Sequence, residues 1–395
     1  MKNYFNSDFK ILSHFDKLSV TKNVILSLPA LTLLSTRGRS KGYVILSLSK
    51  DDQEKKSHFD GLRVTKYFIY FLFLITFCFQ TFAQPKFSEM SVKPGAFSRM
   101  GFGARGMGLG NGLCALTEGN LVAYYNPASS VFQSGNSFQT GYSFLSLNRS
   151  LNFLSFTKRF EFFSSKDTSG KPSSTAGLSA GIINSGVSKI DGRDNNGLKT
   201  KELSTSENLF FISLSNKFSE RLALGLSVKF YYYKLYEKIT TTGVGFDVGA
   251  IYKLSDNINI SLMFADLNSK YKWDSGPIYG QNGLTSEDKF PLLKKVGFSY
   301  KNLDYKFIIV GELESSNVGT NIIKIGGEYN IYENFYLRAG MDQFNLSNSD
   351  WSIRPSAGLS YSYKIKDYFV GFDYAFIIEP YSSYDRHIIG VNFNF

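Results

Sequence analysis

Few side chains in this sequence are placed to do chemistry, and each stands alone. His387 follows Asp385 and Arg386 near the C terminus. A nucleophilic mechanism would need a Ser or Cys within hydrogen-bond reach of that base, and no residue pattern marks one. Cys114 lies among glycines and small residues, where a lone cysteine packs as a small apolar group. Gly101-Phe102-Gly103-Ala104-Arg105-Gly106 spells GxGxxG. That phosphate-binding turn must follow a strand and open a βαβ unit, whereas Lys93-Pro94-Gly95 precedes it and no such unit follows. SKIDGRDNNGLKTKE (188–202) is rich in Asp and Asn, lacks EF-hand spacing, and reads as a solvated hairpin tip. The chain has 2 Cys and 3 His; Cys78, His14 and His58 fall in a leader described below, which leaves too few ligands for a metal cluster. No enzymatic activity, metal or cofactor is expected.

The remaining oddity is NLVAYYNPASS (120–130). Leu121, Val122 and Ala123 look buried, and Tyr124-Tyr125-Asn126-Pro127 then breaks any helix or strand. Its meaning depends on the elements around it.

KYFIYFLFLITFCFQTFAQ (66–84) has a basic flank at Arg63 and Lys66, an apolar run from Tyr67 to Phe79, and Thr81-Phe82-Ala83 before Gln84. That is the layout of a secretion signal, and the run is shorter than the ~20 residues of a membrane-spanning helix. We read 63–83 as the signal peptide. SHFDKLSVTKNVILS (13–27) recurs as SHFDGLRVTKYFIYF (57–71), and two degenerate copies are too few for a solenoid. Residues 1–62 are therefore expected to be a non-native leader from a start codon set too early. Residues 1–83 hold 12 of the 44 basic and 6 of the 33 acidic residues, which leaves 32 against 27. The basic residues are scattered, and nucleic acid is not an expected partner.

From residue 137 the chain alternates. In RLALGLSVKFYYYKLY (221–236), Leu222, Leu224, Leu226, Val228, Phe230 and Tyr232 share one face, and Ala223, Gly225, Ser227 and Lys229 the other. GVGFDVGAIYKLSD (243–256) and SAGLSYSYKIKD (356–367) repeat the pattern. Period two means strand. The apolar face is long and aromatic while its opposite is small or polar, as suits lipid outside and water inside a transmembrane barrel. Fourteen strands are expected, at 137–148, 151–160, 174–186, 207–219, 222–236, 243–256, 257–274, 291–302, 305–317, 321–333, 334–343, 351–366, 367–380 and 385–395. Longer loops are expected at 187–206, 275–290 and 344–350, alternating with tight turns. The short turn near Asn148 and the long segment 161–173 break that alternation. The fold class is thus all-β: a fourteen-stranded antiparallel transmembrane barrel (137–395) preceded by an N-terminal plug or hatch segment (84–136). The lipid bilayer of the outer membrane is the first partner. The end, HIIGVNFNF, projects Val391, Phe393 and Phe395 one way, which resembles the terminal signal read by the barrel-assembly machinery.

The segment GAFSRMGFGARGMGLGNGLCAL…NLVAYYNPASS carries a more specific likeness. Gly95, Phe97, Arg99, Gly103, Arg105, Gly106, Gly108 and then Tyr125, Asn126, Pro127 and Ala128 resemble the N-terminal signature of the PorV/PorQ family, relatives of FadL-like barrels. The motif covers about forty residues. Asn120 stands where an acidic residue is common, with Glu118 nearby, and Ser129 stands where glycine is frequent. The resemblance implies a barrel whose N-terminal segment plugs or lines the lumen. It also implies a non-enzymatic role in type IX secretion and surface attachment of exported proteins, or, as in FadL-like relatives, passive transport of a hydrophobic ligand. Tyr271, Trp273, Ile278 and Tyr279 in the loop 271–290 are candidate contacts for a secretion or attachment partner, or members of an outer aromatic girdle. The inward residues assignable from sequence are mostly small or polar, which favours the partner-binding role over an apolar pocket. NLVAYYNPASS then becomes the exit from plug to wall, with Asn126 and Pro127 aiming the chain at the first strand.

Overall fold

The computed structural model describes residues 89–163, 172–302, 304, 306–346 and 352–395. The leader expected over 1–62, the signal over 63–83, the first residues of the segment that starts at 84, and most of the loop at 344–350 lie outside these residues.

Alternating apolar and small side chains form long strands because each face meets its own solvent. The strands are β1 (Asn136–Phe144), β2 (Arg149–Phe162), β3 (Ser174–Arg193), β4 (Lys199–Lys217), β5 (Leu222–Tyr236), β6 (Ile239–Lys253), β7 (Ile258–Leu267), β8 (Lys270–Asp274), β9 (Thr285–Lys289), β10 (Leu293–Lys301), β11 (Phe307–Ser316), β12 (Asn321–Tyr332), β13 (Phe335–Asn345), β14 (Arg354–Ile365), β15 (Tyr368–Ile377) and β16 (Arg386–Asn394). Fourteen of them close into one antiparallel barrel, and β8 and β9 pair only with each other. Ser137 faces Asn394 and Phe144 faces His387, so the first and last strands seal the wall. Closure satisfies every ladder hydrogen bond inside lipid and leaves no edge.

In β5, Leu224, Leu226, Val228 and Phe230 point outward while Ala223, Gly225, Ser227, Lys229 and Tyr231 are buried inside. The other strands repeat this. On the outside the apolar band ends at a polar rung: Asn152 donates to Asn184 (3.3 Å) and Asn184 to Asn208 (2.7 Å). No helix among the described residues is long and apolar enough to cross a membrane; the strands do the crossing. An aromatic, apolar belt around a closed barrel makes the chain an outer-membrane β-barrel.

Most connections at one end are tight turns, whereas the longest one among the described residues, 268–292, lies at the other, which is the outer end. Glu333 and Lys366, in two-residue turns of the inner end, adopt positive φ (40° and 55°), as primed hairpin turns require. The break in alternation belongs to the chain itself. Residues 145–148 make a short outer turn, with Leu147 and Asn148 at positive φ (61° and 53°), and β2 ends at Phe162 and β3 starts at Ser174 at the inner end.

Two sequence expectations are corrected. The loop expected at 187–206 is mostly strand, since β3 runs to Arg193 and β4 starts at Lys199, which leaves 194–198 as the tip. The strand expected over 257–274 is broken. A register shift between Phe246 and Val248 bulges β7, and Asp266 and Asn268 take positive φ (62° and 57°). A bulge bends its strand and re-aims side chains. Here it turns Asp266 inward and sends the chain into the β8–β9 hairpin instead of up the wall.

Candidate functional site

Residues 95–132 fill the lumen. Gly95 starts a short turn (Ala96–Arg99), Gly103 starts the helix Ala104–Gly108, and Asn126 precedes a 3-10 helix, Pro127–Phe132. Gly135, at φ 76°, then feeds β1. None of these pieces could persist alone, because helices this short do not hold in water; their order comes from the wall around them. Tyr125 Oη donates to the Phe102 carbonyl (2.7 Å) and accepts from the Phe102 amide (3.1 Å), joining the two halves of the segment. Gly106 lies beneath that phenol, where a Cβ would collide with it. The Tyr124 hydroxyl donates to the Ser98 carbonyl. Arg99 holds its own turn through the carbonyls of Pro94 (2.8 Å) and Lys93 (3.3 Å), and Phe97 is buried in the apolar cluster above.

Arg105 is the main polar tie to the wall. It meets Glu328 of β12 in a bidentate pair (3.0 and 2.9 Å) and also donates to the carbonyls of Glu118 (2.7 Å) and Asn120 (2.9 Å). Glu328 passes the contact to Arg338 (2.5 Å), which reaches Asp373 (3.1 Å) and Ser360 (2.7 Å). Two further buried networks cross the wall. Lys229 pairs with Asp247 (2.7 Å) and with Asp266 (3.1 Å), which also accepts from Tyr231 Oη (2.6 Å). Lys324 pairs with Glu312 (2.9 Å) and Glu314 (2.7 Å), and Lys295 joins Glu314 at 3.1 Å. Each charge in these networks meets an opposite one, as burial demands; Arg386, also buried, is held instead by the carbonyls of Met100 and Gly101 (both 2.9 Å). Between plug and wall lies a cavity of about 20 Å³ lined by Arg99, Tyr124, Lys229, Lys295, Glu314 and Lys324, enough for a water or two.

Inward glycines of the wall mark where the plug touches. A Cβ on Gly225 would collide with the backbone of Pro127 and Ala128, and one on Gly249 with Asn126 Oδ1. Gly326 and Gly340 meet Leu109 and Gly110 in the same way, and Gly108 lies on Gly358. Asn126 is fully buried. Its Oδ1 accepts from the Ala128 amide (3.0 Å), and its Nδ2 donates to the Cys114 carbonyl (2.9 Å). Asn126→Ala is expected to loosen the plug by about 1–2 kcal/mol, the worth of a lost cap and a lost buried hydrogen bond. Faster hydrogen exchange confined to residues 113–132 would show it; unchanged exchange there would refute it.

The outer half of the lumen differs from the expected small and polar lining. Leu151, Phe153, Ile183, Leu209, Phe211 and Tyr231 point inward and belong to one apolar cluster with Phe97, Phe102, Tyr271 and Phe290. Phe102 stacks on Phe153 (centroids 6.0 Å). Tyr271 meets Tyr231, Tyr233, Trp273 and Phe290 with centroids 4.9–6.2 Å apart. The β8–β9 hairpin thus lays aromatic rings over the lumen mouth. Tyr271, with no exposed surface, is withdrawn from any partner or girdle, and Trp273 is half-buried beside it; of the loop residues singled out in the sequence, only Ile278 (44% exposed) and Tyr279 (64%) stand free. A readable signal existed for the lining. Leu209-Phe210-Phe211-Ile212 is apolar at both parities, which a strand needs when both faces meet apolar matter.

The remaining chemical candidates are accounted for locally. His387 points outward, with Nδ1 2.7 Å from the Tyr374 hydroxyl. Burial pushes the Cys114 thiol up to about 12, so it is not a nucleophile. Gly103 and Gly106 serve helix–wall and Tyr125 packing, which leaves no phosphate cradle. Val391, Phe393 and the terminal Phe395 lie on the outward face, Phe393 and Phe395 with centroids 5.2 Å apart.

No family model matches the chain, and no curated protein matches its sequence. Solved structures do. The toluene transporter TbuX of Ralstonia pickettii superposes with a TM-score of 0.50 at 12% identity, covering 74% of this chain and 97% of that one. The toluene transporter TodX of P. putida matches with 0.47 at 15% identity (75% and 99% covered), and a Pseudomonas aeruginosa FadL homologue with 0.47 at 11% (74% and 97%). At such identities the likeness is one of fold: this barrel resembles that of TbuX.

Proposed function

We propose that the protein is a gated, non-enzymatic conduit by which small hydrophobic molecules enter the outer membrane. The observation that carries this reading is the lumen mouth. A water-filled barrel has a polar interior, yet here the outer half is lined by Leu151, Phe153, Ile183, Leu209 and Phe211 and lidded by Tyr271, Trp273 and Phe290. Binding sites for small molecules are mostly apolar with a few polar groups. Lifting the hairpin would open an apolar chamber above a polar plug. The toluene transporters of similar fold are consistent with the reading and do not by themselves assign a substrate.

Cells with an intact outer membrane that express the protein are expected to take up the uncharged dye Nile red several-fold faster than cells without it. Tethering the β8–β9 hairpin to the wall should abolish the gain. Equal uptake with a correctly folded, heat-modifiable barrel would overturn the proposal.

A second reading follows from the outer loops and from the PorV/PorQ-like motif: docking of secreted or surface-attached proteins. Its specific support is a set of apolar side chains standing free at the outer end, Leu198 (66% exposed), Tyr381 (74%) and Tyr384 (74%) beside Tyr279. Crosslinking from Tyr381 or Tyr384 that recovers secretion or attachment proteins would favour it over the conduit.

A further inference from the structure

Glu207 lies on the inward parity of β4, one residue outward of Asn208 at the upper limit of the apolar band and opposite Tyr233 of β5. It is half-buried, and among the described residues it makes no hydrogen bond or ion pair. A carboxylate left so at an apolar mouth is costly, and the buried carboxylates of the lumen are ion-paired or, for Asp342, hydrogen-bonded to Asn111 and the Gln343 amide. The neighbouring cation, Arg99, donates to the carbonyls of Lys93 and Pro94 and not to Glu207. Tyr233 faces Glu207 across the ladder and Tyr271 lies near enough to feel its charge; Trp273 packs on both rings, its centroid 5.3 Å from that of Tyr233 and its indole N–H donating to Asp288 at 2.9 Å. Tyr271 supplies a second, independent sign. Its side chain has no exposed surface, and its hydroxyl has no hydrogen-bond partner. Burial first, and then the negative charge of Glu207, push that phenol up, so it stays neutral and its oxygen is free to accept a hydrogen bond.

A lone carboxylate, an unpartnered phenol and three aromatic rings are the complement of one chemistry. Ring faces attract cations, a carboxylate adds a charge-assisted contact, and the lining behind them takes an apolar body. We propose that the lumen mouth selects apolar molecules that carry an ammonium group, held by Glu207 and the faces of Tyr233 and Trp273. This rests on the hydrophobic-conduit reading and narrows it to amines.

The test uses the full barrel in non-ionic detergent and three small probes: benzylammonium, neutral benzyl alcohol and anionic phenylacetate, titrated against tryptophan fluorescence with Trp351→Phe as background. The ammonium is expected to bind about tenfold tighter than the alcohol, with phenylacetate weakest. Glu207→Gln, nearly isosteric, should erase the preference while benzyl alcohol binds as before. Tyr233→Leu, which leaves the carboxylate in place, should weaken the ammonium more than the alcohol. Equal binding of ammonium and alcohol to the native protein, or a preference that survives Glu207→Gln, overturns the amine proposal and leaves the conduit standing. Binding of none of the probes overturns both.

Discussion

Arg105→Ala is expected to release the plug while leaving the barrel closed. Arg105 is the one plug side chain that ties two plug carbonyls to a wall carboxylate, through Glu118, Asn120 and Glu328. Removing one partner of a buried ion pair costs about 3–5 kcal/mol, because the other charge stays buried and uncompensated. Here Glu328 keeps Arg338, which lowers the loss toward the bottom of that range. The wall does not depend on Arg105, since its ladder bonds run between strands. The readout is single-channel conductance in planar bilayers together with a heat-modifiable gel band. The native protein should be nearly silent, the variant should conduct, and both should show the folded band. A silent variant with native hydrogen exchange over 96–131 would show that packing alone holds the plug. Arg105→Lys should behave much like alanine, since an ammonium cannot reproduce the fork that spans both Glu328 oxygens and two carbonyls.

The second large effect is steric. Gly225→Val and Gly249→Val place branched side chains where the backbone of Pro127 and Ala128 and the amide of Asn126 already lie. Overfilling a packed interior costs about 1–3 kcal/mol per site when side chains can shift. Here the obstacle includes plug backbone, so the double variant should exceed that range and expel residues 126–132. Protease cleavage near 120–133, absent in the native protein, would reveal the expulsion. Gly311→Ala is the control, because an added Cβ there meets nothing closer than the Lys324 carbonyl at 4.0 Å; it should leave conductance and proteolysis unchanged. Equal resistance of the double variant and the control would mean that the plug does not seat on these glycines.

The two variants probe different kinds of information. The glycine seats were half legible: Gly225 and Gly249 sit at inward parity in strands whose other face is large, so the small inner face could be read. That smallness was ambiguous, because water and a tightly seated plug both call for small residues. The charged rungs were less legible. Lys229, Asp247 and Asp266 come from β5, β6 and a bulge in β7, and the bulge itself follows from a register shift that no local pattern announces. Glu312, Glu314, Lys324 and Glu328 read as single charges on apolar strands until register sets them side by side. Tyr271 was misplaced because 257–274 alternates like a strand throughout, and only the turn at Asp266 and Asn268 folds it over the mouth.

What the sequence determined by itself was the barrel. Period-two alternation with an aromatic outer face needs only the neighbouring residues and the two solvents, so the fourteen strands and their inward and outward sides could be read directly. The Gly-rich run and NLVAYYNPASS likewise marked a segment that is not wall. Tertiary structure alone decided what that segment does. Arg105 finds Glu328 because closure of the sheet brings residues more than two hundred positions apart within hydrogen-bond reach. The character of the mouth was decided the same way: Leu151, Phe211 and Tyr271 become one apolar lining only when curvature turns their strands to a common axis. Local physics sets which way a side chain points; which side chains it meets is set by register and closure, and those are properties of the whole sheet.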